Sequence, residues 1–348
     1  MKILQVIDTL NIGGAERMCV NISNLLTSKL VENSILVTRK LGPLYKQVEP
    51  EKIDLISKKN GLDLLGFYRF IKVIIAKRPT VIHAHSTSIY WSFLAKLFFP
   101  EIKLIWHDHD GMSDFLRDSD RKLIKFISKY FHATIVVNQI LFDWNKRNTL
   151  SENVCFLRNF SLFKKTKEKT KNDKIRIVCL ANFREQKDHI TLFRALELIP
   201  DTVNFECICA GQVSDGVYFQ RLKEFCTINL SHRVKFVGEV EDVEELLLSA
   251  DIGVLSSKSE GLPVALLEYG CAGLPVVVTN VGQCGEVLCK GGFGKLVKMA
   301  DYVQLANELE GLLCSVTIRI TLGVNFKKHN ETQYGSELFY QNYSNLID

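Results

Sequence analysis

The sequence predicts an α/β fold made of two Rossmann-like domains, and three observations predict it. Short apolar runs alternate with amphipathic stretches along most of the chain, the pattern of parallel strands joined by crossover helices. The rhythm breaks once, at a polar, lysine-rich segment over residues 162–174, and then starts again. The length of 348 residues exceeds one ordinary core, so two domains of roughly 150–190 residues are the natural division.

Taken in order, residues 2–7 read as a buried strand. A Gly-Gly turn follows, then an amphipathic helix near 15–28. Further strands are expected at 34–38, 53–56, 81–84, 103–106 and 133–137, with helices near 62–77, 88–97 and 121–130. After the break, strands are expected at 175–180, 204–210, 234–237, 251–255 and 275–279. Helices fit near 190–198, 217–226, 241–248, 264–271 and 302–313, and a last amphipathic stretch covers 333–346. This gives an N-terminal domain over 1–160, a mobile linker over 161–174 and a second domain over 175–330. A C-terminal helix in 331–348 is expected to pack back toward the first domain. Ligands of open parallel sheets bind beyond the carboxyl ends of the strands. The two domains are therefore expected to face each other across a cleft.

Composition narrows the function classes. No stretch of about 18 uncharged apolar residues occurs, so no membrane-spanning helix is expected. Residues 1–8 resemble a strand more than a secretory leader, which points to a cytoplasmic protein. The ten cysteines are scattered without a Cys-x-x-Cys pair, so reduced thiols are expected rather than disulfides or a zinc site. Cys207 and Cys209 alternate and should share a strand face. The net charge of +5 does not call for nucleic acid. It suits phosphorylated ligands or an anionic membrane surface.

Four segments carry candidate chemistry. The first is Ser259-Glu260-Gly261-Leu262-Pro263-Val264-Ala265-Leu266-Leu267-Glu268. It follows a buried strand and opens a helix. Pro263 suits a first turn, Gly261 permits close backbone approach, and the free N–H groups of a helix start attract anions. Glu268, in an apolar stretch, wants a polar partner such as ribose hydroxyls; the bland alternative is an ordinary cap with a surface glutamate. The second, Ala181-Asn182-Phe183-Arg184-Glu185-Gln186-Lys187, places cations after the strand 175–180. Fixed cations there would suit an anionic ligand; otherwise it is a solvated basic turn. The third, Gly13-Gly14-Ala15-Glu16, lets backbone approach a phosphate or is simply a tight turn. It is not Gly-x-Gly-x-x-Gly, so a nicotinamide reading is weak. The fourth is His107-Asp108-His109-Asp110, open to an acid–base, structural or metal reading. His83 and His85 should share one side of their strand, lining a cleft or supporting structure.

The spacing Glu260-x7-Glu268, with its flanks over about residues 234–288, resembles the family 4 (group 1) retaining glycosyltransferases of GT-B fold. The resemblance covers nearly the whole chain. It implies that a sugar is transferred from a nucleoside-diphosphate sugar to a glycan or polyprenyl-diphosphate-linked acceptor, in surface polysaccharide synthesis. No cofactor and no metal are expected. Catalytic roles fall to Glu260, His109 and Lys187. Donor contacts fall to Gly14, Asn182, Arg184, Lys187, Gly261, Leu262, Pro263 and Glu268, and acceptor-side contacts to Gly13, His109 and Asp110. Asn182 stands where the family carries arginine, and Arg184 could supply the missing charge. Phe160 stands where a glycine usually follows Asn159, read here as a hinge element. Glu286 is read as structural. A non-catalytic nucleotide-sugar binding protein is the alternative on the same fold, and an epimerase or dehydrogenase is a weaker third. Residues 121–130 carry Leu123, Ile124 and Ile127 on one expected core face and lysines on another. With the aromatic-basic segment 91–99, they form either a solvated surface or a peripheral patch for an anionic leaflet.

Overall fold

The computed structural model describes residues 1–110, 116–118, 120–163 and 173–347. The chain divides into two compact units, Met1–Phe160 with Ser336–Asp348, and Ser161–Gly335. Most of the expected linker lies outside the described residues.

The first unit runs β1 (Lys2–Thr9), α1 (Gly14–Ser28), β2 (Glu32–Lys40), β3 (Ile53–Leu55), α2 (Leu64–Lys77), β4 (Val81–His85), α3 (Ile89–Phe98), β5 (Lys103–Asp108), α4 (Lys122–Ile127), β6 (Ala133–Val136), α5 (Gln139–Asn148) and β7 (Val154–Phe156). Its seven parallel strands lie in the order β3-β2-β1-β4-β5-β6-β7. The order reverses at β1 and β4, the switch point where such sheets open a crevice. The second unit runs β8 (Ile175–Leu180), α6 (His189–Leu198), β9 (Phe205–Ala210), α7 (Gly216–Asn229), β10 (Val234–Gly238), α8 (Val243–Leu248), β11 (Ile252–Leu255), α9 (Val264–Ala272), β12 (Val276–Thr279), α10 (Cys284–Val287), β13 (Lys295–Val297), α11 (Tyr302–Cys314) and α12 (Val316–Tyr334). Its sheet order is β10-β9-β8-β11-β12-β13, again all parallel. Strands β4, β11 and β12 are buried at every residue, as helices on both faces require.

The chain closes with α13 (Ser336–Ile347), which belongs to the first unit. Phe339 of α13 packs on Phe160 with ring centroids 4.6 Å apart, so the bulky Phe160 fills a core position. Asn21 Nδ2 holds the Phe160 carbonyl at 2.9 Å.

Several expectations need correction. The stretch 333–346 is two helices broken at Gly335, whose extended backbone (φ −71°, ψ 151°) ends α12. Helix α12 itself has no apolar stripe strong enough to announce it; its packing partner α9 makes it a helix. Leu123 is 56% exposed beside the buried Ile124 and Ile127, so it lies on the solvent side of α4. Trp91, expected among surface aromatics, is buried. Strands β7 and β13, at sheet edges, and helix α5 were not expected. All ten cysteines are unpaired. Cys207 and Cys209 both face the core beneath α6 and α7.

Candidate active site

Helices α2, α5, α7, α8, α11 and α12 start on an Asp, Asn or Ser whose side chain caps the first turn, each worth about 1 kcal/mol. The helices that follow the three glycine- or cation-bearing motifs, α1, α6 and α9, have no side-chain cap. Their first amides are left to other acceptors, the arrangement suited to anions.

In the second unit, β8 and β11 are neighbours in parallel register, with Ile177 opposite Ile252. The loops leaving their carboxyl ends therefore run side by side. Lys258 N donates to Gln186 O at 2.8 Å, and Gln186 Nε2 donates to Ser259 O at 2.9 Å. This zipper brings Lys187 Nζ to 2.5 Å from Glu260 Oε1. Ser257 Oγ donates to the same carboxylate oxygen at 2.6 Å. The Glu260 side chain is 7% and that of Lys187 15% exposed. A pair so desolvated is held by its partners rather than by solvent. Ser256 Oγ fixes the Lys187 and Asp188 carbonyls at 3.1 and 2.9 Å. Asp188 turns the chain with φ +47°.

Gly282, after β12, braces the loop from behind. With φ +51°, any Cβ there would fall 1.8 Å from the Glu260 carbonyl oxygen. Gln283 N donates to Gly261 O at 3.1 Å. Pro263 stands at the N-cap of α9, one residue before the helix, with Leu262 buried and Gly261 half-buried. Glu268 is buried within α9. Burial, then its negative charge, pushes the Cys271 thiol up to about 12. Asn182 Oδ1 accepts from Gln212 N at 3.0 Å, fixing the loop after β9. Arg184 is exposed, and Glu286 is exposed and hydrogen-bonded to Gln283 Nε2 at 3.0 Å.

In the first unit, Gly13 caps α1 in extended backbone and Gly14 is exposed. The Glu16 carboxylate lies over this turn, 2.4 Å from where a Gly13 Cβ would stand. It accepts from Thr9 Oγ1 at 3.1 Å. Burial raises its pKa above the ordinary glutamate value.

At the end of β5, Arg121 spans two carboxylates, Asp108 and Asp110, each at 2.5 Å. Its guanidinium lies over Trp106 and Trp144, 5.7 and 5.4 Å from their rings. Burial raises the Asp108 pKa despite Arg121. A cavity of about 300 Å³ opens here, lined among others by Tyr90, Trp106, His109, Asp110 and Arg121. Arg121 was missed by sequence reasoning. The signal was an unmatched Asp108 in a strand, but no spacing rule points thirteen residues onward.

Four histidines form a block beside that cavity. His83 Nε2 meets His107 Nδ1 at 3.1 Å, and His85 Nδ1 meets His109 Nε2 at 3.0 Å. The two pairs lie against each other, His83 stacked on His85 at 4.4 Å and His107 tilted by 30° over His109 at 3.8 Å. Burial lowers the His83 and His109 pKa values to about 3 and those of His85 and His107 well below 6.5. Ring nitrogens of His83, His85 and His107 lie within 4.8 Å of one another. His83 and His107 are bonded to each other, however, while both ring nitrogens of His85 are engaged by His109 and Gln5, so the three do not converge on one point as metal ligands would. The structure thus brings Lys187, Glu260, Gly261, Leu262 and Pro263 together in one unit. It brings His109 and Asp110 together in the other.

Comparison with known proteins agrees with this architecture. The sequence profile described as "Glycosyl transferases group 1" matches residues 161–318, and "Glycosyltransferase Family 4" matches residues 12–149. An N-acetyl-alpha-D-glucosaminyl L-malate synthase of Bacillus anthracis is 28% identical over 57% of this chain, which spans about half (51%) of that relative. An amylovoran biosynthesis glycosyltransferase of Erwinia amylovora is 22% identical over 100% of this chain and 99% of its own. A Campylobacter jejuni α-1,4-N-acetyl-D-galactosaminyltransferase, named for a diphospho-undecaprenol-linked saccharide, is 26% identical over 94% of this chain and 93% of its own. Among solved structures, Anabaena HepE with UDP-glucose superposes with a TM-score of 0.82 at 18% identity, covering 100% and 99% of the two chains.

Proposed function

The chain belongs to the group 1, family 4 glycosyltransferases, and from that premise we propose that it moves a sugar from a nucleoside-diphosphate donor to a hydroxyl of a glycan or polyprenyl-diphosphate-linked saccharide, with retention at the anomeric carbon. The pathway is assembly of a surface polysaccharide. The observation that carries the reading is the Lys187–Glu260 pair beside the uncapped start of α9.

The chemistry follows from the residues. A departing diphosphate gathers negative charge, and Lys187, whose ammonium has three donors, can keep Glu260 on one while turning another to phosphate. The amides after Pro263 add partial positive charge. Glu260, held by Ser257 and Lys187, presents its second oxygen to hydroxyls of the transferred sugar and to the positive charge its ring develops. Glu268 holds the ribose hydroxyls. Gly261, Leu262 and Pro263 contact the donor through backbone. Arg184 supplies a mobile cation, while Asn182 shapes the loop from behind. Gly13, Gly14, His109 and Asp110 serve the acceptor side.

The relatives' names favour a UDP-linked donor and a lipid-linked acceptor. No single helix among the described residues is long and apolar enough to cross a membrane. The site of contact with an anionic leaflet, at the cytoplasmic face, is instead the exposed group Leu94, Leu97, Phe98, Leu123, Phe126 and Lys129. Phe93 and Tyr130, 5.3 Å apart, make this patch continuous. Vesicle binding that falls with salt, and falls again in Phe126→Glu, tests it.

The central test is a thermal-shift screen of nucleoside-diphosphate sugars, since a tight ligand raises stability by mass action. Transfer with the best donor follows, with the anomeric configuration of the product read by NMR. An inverted product, or no response to any nucleotide sugar, would overturn the reading.

A further inference from the structure

The histidine block contains a chain of hydrogen bonds whose direction is set at one end. Gln5 lies on β1, opposite His83 of β4 in register, and is fully buried. Its Oε1 is 3.0 Å from His85 Nε2. An amide oxygen can only accept, so His85 Nε2 must carry a proton. Both His85 and His109 stay neutral, because burial depresses their pKa values, and a neutral imidazole has one N–H. His85 Nδ1 is then a bare lone pair. It can bond His109 Nε2, 3.0 Å away, only if that nitrogen is the donor.

We propose that Gln5 and His85 are positioning residues that fix His109 as its Nε2–H tautomer, so that Nδ1 offers a permanent lone pair to a substrate hydroxyl at the cavity edge. The assignment of a role toward substrate rests on the glycosyl-transfer reading above; the assignment of the proton does not. A second hydrogen-bonded layer backs the chain, whose His85 and His109 rings lie 15° from coplanar orientation. Tyr343 Oη of α13 holds His83 Nδ1 at 2.9 Å, and His83 holds His107. His83 stacks on His85 and His107 packs at a 30° tilt over His109, which backs both rings of the chain. With its low basicity His109 does not remove a proton outright. It accepts a hydrogen bond that orients the attacking or transferred-sugar hydroxyl. If the Gln5 amide were reversed, its nitrogen would donate to His85 Nε2. Every proton in the chain would then move, and His109 would show Nδ1–H instead. One amide therefore decides what the cavity sees.

The experiment is a long-range ¹H–¹⁵N correlation spectrum of the imidazoles in the full, substrate-free chain, with His109 assigned by His109→Gln. The expected result is protonated Nε2 and bare Nδ1 at both His85 and His109. A wild-type spectrum with Nδ1–H at His109 overturns the proposal. In Gln5→Met, of similar size but without the acceptor, His109 should become a mixture of tautomers. In the same variant kcat should fall about tenfold or more with donor KM unchanged, as expected when a catalytic imidazole loses its tautomer. A Gln5→Met spectrum identical to wild type also overturns it. Because the spectrum needs no substrate, the expected tautomer in a protein that transfers no sugar would count against the function and leave this assignment standing.

Discussion

The two sheets end in sites of opposite electrostatic kind. In the second unit the strand ends hold full charges, Lys187 and Glu260, each matched by the other across 2.5 Å. In the first unit the strand ends hold four imidazoles that burial keeps neutral, next to a guanidinium already shared by two carboxylates. A diphosphate calls for permanent charge near at hand. A neutral hydroxyl is better met by a lone pair that is never protonated away. The contrast teaches that one fold uses desolvation in two opposite ways, paired ions in one unit and depressed basicity in the other, and the proposed function assigns these to two different reactants.

The most direct way to break this contrast is Glu260→Ala. Turnover should fall about 10³-fold, the scale of losing one preorganised electrostatic contact. Lys187→Ala should cost a similar factor. The double variant should be little worse than either single, because the pair acts as a unit. Turnover measured on all three decides it; full additivity would mean that the two groups work separately.

Acid should next distinguish the units. His83, His85 and His107 have folded pKa values far below the ordinary 6.5. The unfolded chain therefore binds more protons below pH 6.5, and stability must fall as pH drops through the window from 6.5 toward about 3, the folded value of His83. The slope approaches about 1.4 kcal/mol per pH unit for each histidine. Thermal unfolding between pH 7.5 and 5 measures it, and His83→Asn should reduce the slope by one histidine's share. A stability that stays level down to pH 5 would show that these rings are not neutral by burial.

Gly282→Ala sharpens the comparison on the charged side. A Cβ there meets the Glu260 carbonyl and requires φ +51°, so stability should drop by about 2–3 kcal/mol. Denaturant melts should show this beside a fall in turnover. Gly216→Ala is the control, because a Cβ there meets nothing within 4 Å. At the first position of α7 it should change stability by less than about 1 kcal/mol. The smallest effect belongs to Phe126→Glu. This exposed residue should leave stability within about 0.5 kcal/mol and alter only vesicle binding.

Much of the fold was legible because periodicity is a local property. Residues 2–7, 175–180 and 251–255 read as buried strands from their apolar runs alone, and those strands are β1, β8 and β11. Helix α12 was not legible, because its apolar and polar residues mix around its circumference and only packing on α9 selects a helix there. Leu123 was misplaced because on so short a helix as α4 neighbouring positions straddle the boundary between core and solvent.

By itself the sequence determined which residue types stand at the strand ends: glycines, a lysine, paired glutamates, alternating histidines. Side-chain chemistry and hydrophobic spacing are written along the chain, so these were available without coordinates. Only the tertiary structure decided which of them meet. Lys187 and Glu260 lie 73 residues apart and touch because β8 pairs with β11. Gln5 reaches His85 only because β1 pairs with β4. Strand order is settled by burying two whole faces at once, a global free-energy minimum that no local window contains.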